Sequence, residues 1–140
     1  MTAAHPKPLR SLSGVVHAPV DTVWAVLADV GPHGRSPLKP PGRTIRTHDD
    51  DRIYHVSVEQ DGSRVTVEVD RVTRTITIEG QWWYRAQFTV SPHHDGCVVT
   101  QQIFNIATRL RWAVRFVAKE PLAAAPNAFA QVLEELSSTR

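Results

Sequence analysis

Local sequence places a histidine and a carboxylate together. Ile53 to Glu59 and Arg64 to Asp70 alternate apolar and polar residues on either side of Gln60-Asp61-Gly62-Ser63. Asp-Gly between two such runs is the strongest short signal for a two-residue hairpin turn. A turn closed there sets His55 opposite Glu68, the arrangement in which a carboxylate orients an imidazole for proton transfer. Their face also carries Ser57, Thr66, Glu59 and Arg64, so it reads as the solvent side, where a cross-strand pair contributes little. Arg85 lies within a later alternating run, Trp82 to Val90. From a cavity rim it would meet a carboxylate or polarise a carbonyl; on the convex face it would simply point outward. Tyr54 adds a phenol. Arg85, His55 and Tyr54 are the catalytic candidates, and no motif fixes a role for any of them.

Other chemistries find little support. The chain has seven His, but His93-His94 are adjacent in a predicted turn and no His-x-x-x-His helix spacing occurs. Asp49-Asp50-Asp51 lacks the rest of a calcium loop and reads as a solvated turn. A single Cys excludes an internal disulfide and a Cys-based zinc site. Gly-x-Ser-x-Gly, phosphate-loop and dinucleotide patterns are all missing, so neither metal nor cofactor is expected. Lys+Arg number 16 against 14 Asp+Glu, a balance that suits no polyanion, and nucleic acid is not an expected partner. Arg109, Arg111 and Arg115 form a basic patch at the start of the last helix. It would suit an anionic membrane or RNA, and its default reading is a solvated helix face.

The elements that must position these residues follow from periodicity. At 140 residues, 41% hydrophobic and 21% charged, the chain is expected to be one folded domain, 9–140, behind a loose tail, 1–8. The start lacks the apolar stretch of a signal peptide, no run is long enough to span a bilayer, and the expected compartment is the cytoplasm. A strand over Leu12–Ala18 precedes a helix in which Val20, Val23, Trp24 and Leu27 share a face, with Pro19 suited to its first position. Residues 31–43 hold four Pro and three Gly and are expected to form an irregular loop, either a lid or a connector. Period two then runs from 44 to 106. The 60–63 turn sets Val58 opposite Val65, Val56 opposite Val67 and Tyr54 opposite Val69, an apolar face. Along Trp82–Val90, the residues Trp82, Tyr84, Ala86, Phe88 and Val90 share one face and Trp83 lies on the other. Cys97–Ile106 carries polar groups on both faces, so the inward parity stays open between Gln101/Asn105 and Gln102/Phe104. Thr108–Ser138 is helical, with Trp112 and Phe116 at i, i+4 and a stripe of Leu122, Phe129, Leu133 and Leu136. Pro121 and Pro126 predict a kink or break between 119 and 127.

This order is α+β: a curved antiparallel sheet of about seven strands wrapped around a long C-terminal helix. Together with Ala18-Pro19-Val20-Asp21-Thr22-Val23-Trp24, the Asp95-Gly96 turn into a Val/Thr-rich strand and a helix start at Trp112, it resembles the START-like (SRPBCC) helix-grip superfamily. The chain looks most like the bacterial polyketide cyclase/dehydrase and lipid-transport group, over about 10–138. The resemblance implies a cavity between sheet and terminal helix that takes lipids, polyketides or other apolar molecules, and it supplies no catalytic motif to carry over. The 31–43 loop and the two late prolines depart from the group and would alter the cavity mouth. The expected ligand-binding residues are Tyr54, Trp82, Tyr84, Phe88, Gln102, Phe104, Trp112 and Phe116. The leading expectation is a protein that binds a small hydrophobic ligand. The alternatives are a cyclase/dehydratase-type enzyme in the same cavity and a protein-interaction module. The sequence sets no oligomeric state.

Overall fold

The computed structural model describes residues 7–80 and 82–138. The expected loose tail lies outside them except for Lys7 and Pro8. Strand β1 (Arg10–Val16) leads to helix α1 (Val20–Leu27). Strands β2 (Arg43–Asp49), β3 (Ile53–Gln60), β4 (Ser63–Asp70), β5 (Thr75–Glu79), β6 (Tyr84–His93) and β7 (Gly96–Asn105) follow. All neighbours are antiparallel, and the sheet order is β1-β7-β6-β5-β4-β3-β2. A short 3₁₀ turn, Arg111–Ala113, then opens onto helices α2 (Val114–Val117) and α3 (Lys119–Ser137). No helix among the described residues is long and apolar enough to cross a membrane.

The β3–β4 hairpin has the register its turn dictates: Val58 pairs with Val65, Val56 with Val67, Tyr54 with Val69 and His55 with Glu68. Asp61 and Gly62 both have positive φ, 50° and 80°, as a type I′ turn requires. Gly96 is needed where β6 turns into β7, because its φ is 138° and a Cβ would lie 2.2 Å from the Val16 carbonyl oxygen. Much of the concave face is aliphatic, and Val56, Val67, Val69, Ile76, Ala86 and Val99 are buried in the core. From α1 come Val23, Val26 and Leu27; Trp24 is only partly buried against them. Pro19 stands at the N-cap, one residue ahead of the expected position.

Three expectations are corrected. Strand β6 starts at Tyr84, because Trp82 and Trp83 form a turn and Trp82 has φ 74°. The parity of this pair is therefore the reverse of a strand reading: Trp83 is buried and Trp82 is exposed. The terminal helix breaks at Ala118, ahead of both prolines. Pro121 falls in the first turn of α3, where its missing N–H costs nothing, and α3 continues through Pro126. Its buried stripe is Ala125, Phe129 and Leu136, with Leu122, Val132 and Leu133 packed beside it. The helix passes so close to β1 that a Cβ on Gly14 would sit 2.4 Å from Leu133 Cδ1.

Candidate functional site

Helix and curved sheet do not fill the space between them. A cavity of about 460 Å³ remains, within the range of small-molecule sites. Its floor is the concave sheet face, with Val65, Ile78 and, on β6, Tyr84 and Phe88. One wall is α3, through Phe129 and Val132. The opposite wall is the Pro-rich loop, Pro37 to Pro41, with Gln60 at the edge. That loop is ordered by its own polar groups. The Ser36 hydroxyl donates to the Leu27 carbonyl at the end of α1 (2.6 Å) and accepts from the Leu38 N–H (3.1 Å). Gly34 passes so near the Asp29 carbonyl that no side chain fits there. The loop is thus at once the connector of α1 to β2 and a cavity wall, and Leu38 is buried in it.

Two polar side chains reach the apolar floor. Gln101, opposite Phe88 in the β6–β7 register, is 8% exposed, and its Oε1 accepts no hydrogen bond. An unsatisfied buried acceptor costs about 1–3 kcal/mol. Tyr84 packs edge-on to Trp83, with ring centroids 5.4 Å apart, and burial raises its phenol above the ordinary tyrosine range. It therefore stays protonated, able to donate and accept but not to serve as a base at neutral pH. At the rim, the Lys39 ammonium donates to the Pro32 carbonyl. Among the described residues, Lys39 and Tyr84 are the ionisable side chains on the cavity wall.

The structure separates the expected residues. Tyr84 and Phe88 line the cavity. On β7 the inward parity is Cys97, Val99, Gln101 and Ile103, so Gln101 lies on the wall and Gln102 does not. Gln102 faces outward beside its β1 partner Ser11. Phe104 is buried on that outer parity, opposite Arg85 and apart from the main core. Tyr54 lies on the concave side but reaches Gly31, away from the cavity wall. Asn105 caps the chain as it leaves β7, accepting from the Ala107 N–H at 2.9 Å. Trp82, Trp112 and Phe116 do not enter the sheet–helix space. Trp112 and Phe116 are 68% and 62% exposed, because α2 turns Val114 and Ala118 toward the core instead.

The catalytic candidates also fall outside the cavity. Arg85 is paired on the convex face with Glu79, at 2.7 Å. His55 and Glu68 are 3.9 Å apart in a shallow outer depression with Thr66 and Thr77. Cys97 is buried, which raises its thiol and keeps it protonated. His93, His94 and Asp95 bring donor atoms within 4.8 Å of one another at the β6–β7 turn. These groups already serve the turn: His93 Nδ1 accepts the Asp95 N–H at 3.1 Å, and His94 pairs with the Asp95 carboxylate at 3.2 Å. Leu38 and Lys39 join the wall without having been singled out by sequence, and Phe129, read from sequence only as part of the helix's apolar stripe, lines it too. The loop's register relative to the sheet depends on the Ser36 and Gly34 contacts, and no periodicity encodes those.

Residues 11–137 match the family described as polyketide cyclase / dehydrase and lipid transport. The chain belongs to this family. Solved structures share the fold at low identity. A polyketide-cyclase-like protein of Corynebacterium glutamicum is 17% identical with a TM-score of 0.55, covering 96% of this chain and 91% of that one. A Thermus thermophilus protein is 14% identical at a TM-score of 0.54, covering 91% and 96%. A Caulobacter crescentus protein is 15% identical at 0.53, covering 89% and 95%. No curated protein matches the chain in sequence. Membership matches the sheet-and-helix architecture and leaves this member's chemistry to its own cavity.

Proposed function

We propose that the protein binds a small, mainly apolar molecule carrying one hydrogen-bond donor, held between α3, the Pro-rich loop and the sheet. One observation carries this reading: Gln101 Oε1, buried and without a partner, on the wall of a mainly apolar cavity. A guest that donates to it would convert a standing cost into an orienting contact. Phe88 and Phe129 supply flat apolar surface, and Tyr84 a second polar point. Family membership supports a hydrophobic guest. The wall holds neither carboxylate nor imidazole among the described residues, which favours binding over acid–base turnover. A cyclase/dehydratase reading would have to rely on Tyr84 and Lys39. The single free thiol fits a reducing, cytoplasmic compartment.

The test uses 1-aminoanthracene, a flat fluorescent probe with an amine donor. Expected is saturable binding at micromolar concentration, with blue-shifted emission and one site per chain. Replacing Phe129 with a larger residue, Phe129→Trp, fills the cavity and should weaken binding at least tenfold without unfolding the protein. Absence of saturable binding, or binding unchanged by F129W, would sink the reading.

A further inference from the structure

The segment between β7 and α3 is built the wrong way round for water. Its inward side chains are small: Val114 and Ala118 are buried and Ala113 half-buried. Its outward face carries the large apolar groups. Leu110 is 59% exposed, Trp112 68%, Phe116 62% and Val117 50%. Scattered single apolar residues on a surface are ordinary; four within eight positions on one short segment are a patch. Leu110 also has left-handed backbone, φ 50°, an uncommon conformation for a bulky residue that turns the chain into the 3₁₀ turn. The fold therefore holds Leu110 outward at some cost.

The charges within the patch have one sign, and the nearest acid in sequence, Glu120, comes just after it. Arg109, Arg111, Arg115 and Lys119 interleave with the apolar residues, and the sequence from Gly96 to Lys119 contains no Asp or Glu. Among the described residues none of these four cations has a carboxylate within 4.0 Å. Arg111 is held by the Asn105 and Ala107 carbonyls, and the Arg115 guanidinium lies 4.9 Å from the Phe116 ring centroid. Exposed Trp, Phe and Leu set among arginines are the composition of a surface that lies in the headgroup region of a bilayer. A second copy of the chain suits the patch poorly, since a two-fold contact would face cations with cations.

We infer that this segment docks the protein on an anionic phospholipid surface, the aromatics entering the headgroup boundary and the cations pairing with lipid phosphates. The surface also sits beside the cavity. The Trp82 indole donates to the Arg109 carbonyl at 2.7 Å, and the same turn carries Gly80 and ends at Tyr84, both on the cavity wall. Docking would place that end of the cavity near the membrane. The inference rests on residues that do not line the cavity, so it stands or falls separately from the proposed guest.

Flotation with vesicles of phosphatidylcholine and phosphatidylglycerol (7:3), against phosphatidylcholine alone, tests it. The protein should float with the anionic vesicles and only weakly with the neutral ones. Trp112→Ala with Phe116→Ala, and separately Arg109→Gln with Arg115→Gln, should each lower partitioning about tenfold or more. Raised salt should mimic the second pair. Because these side chains are exposed, the melting temperature and probe binding should stay at wild-type values. Failure of the wild type to float, or equal flotation of either double variant, overturns the inference. A concentration-dependent mass in sedimentation equilibrium that W112A/F116A abolishes, without flotation, also overturns it and assigns the patch to a second copy.

Discussion

Gln101 shows how one side chain can mark a site. Its parity on β7 was open from sequence because both faces of Cys97–Asn105 carry apolar and polar residues. The structure settles it through neighbours: Cys97, Val99 and Ile103 share its face and are buried. A buried amide with an idle oxygen is a liability for the folded state alone. Gln101→Leu should therefore raise stability by about 1 kcal/mol, a rise of roughly 3 °C in melting temperature for a chain this size. The same change should weaken 1-aminoanthracene binding severalfold, since the donor loses its acceptor. A thermal melt and a titration on the same preparation check both. Lower stability in Q101L would mean that the amide is satisfied within the protein, and a stabilised variant with unchanged affinity would remove Gln101 from the site. Trp82 teaches the opposite lesson. Trp-Trp-Tyr suits a strand by propensity, yet φ 74° at Trp82 makes it a turn residue, and no side-chain pattern announces that.

Elements whose geometry is locally determined were legible, and those set by packing were not. The β3–β4 hairpin follows from Asp61-Gly62 and its flanking alternation, down to individual pairs. For Trp112 and Phe116, spacing at i, i+4 says that they share a face; which way the face points depends on what α2 meets, and Val114 and Ala118 fit the core more closely. The prolines mislead for a related reason. A break was expected around them, but Pro121 is harmless in the first turn and Pro126 is tolerated inside α3 because Phe129, Val132 and Leu136 hold the helix down. Tolerance is not absence of cost, since Pro126 leaves the Leu122 carbonyl without its usual helical donor. Pro126→Ala should stabilise the protein by about 1–3 kcal/mol, the lower figure if the freer unfolded chain offsets part of the gain. Urea unfolding gives the value, and a destabilised P126A would show that packing of the proline ring outweighs the missing hydrogen bond.

At the scale of the whole molecule, the cavity belongs to no single element. Its walls come from the loop after α1, from β3 to β7 and from α3, which in turn packs on β1 near the start of the chain. Residues 14 and 133 touch, so β1 and α3, far apart in sequence, close the structure together. Unfolding any layer opens the cavity, and a guest held there must stabilise the entire fold rather than a part of it. For a single site the gain is RT ln(1 + [L]/Kd), about 2.7 kcal/mol at a hundredfold excess over Kd. The melting temperature should accordingly climb with the logarithm of 1-aminoanthracene concentration, by roughly 7–9 °C at that excess. The rise should be smaller in Q101L and nearly absent in F129W, and unchanged in W112A/F116A. A melting temperature that stays flat while fluorescence saturates would place the probe on the exposed aromatic patch or on unfolded chain, and the cavity would then have to be read as packing imperfection between a helix and a curved sheet.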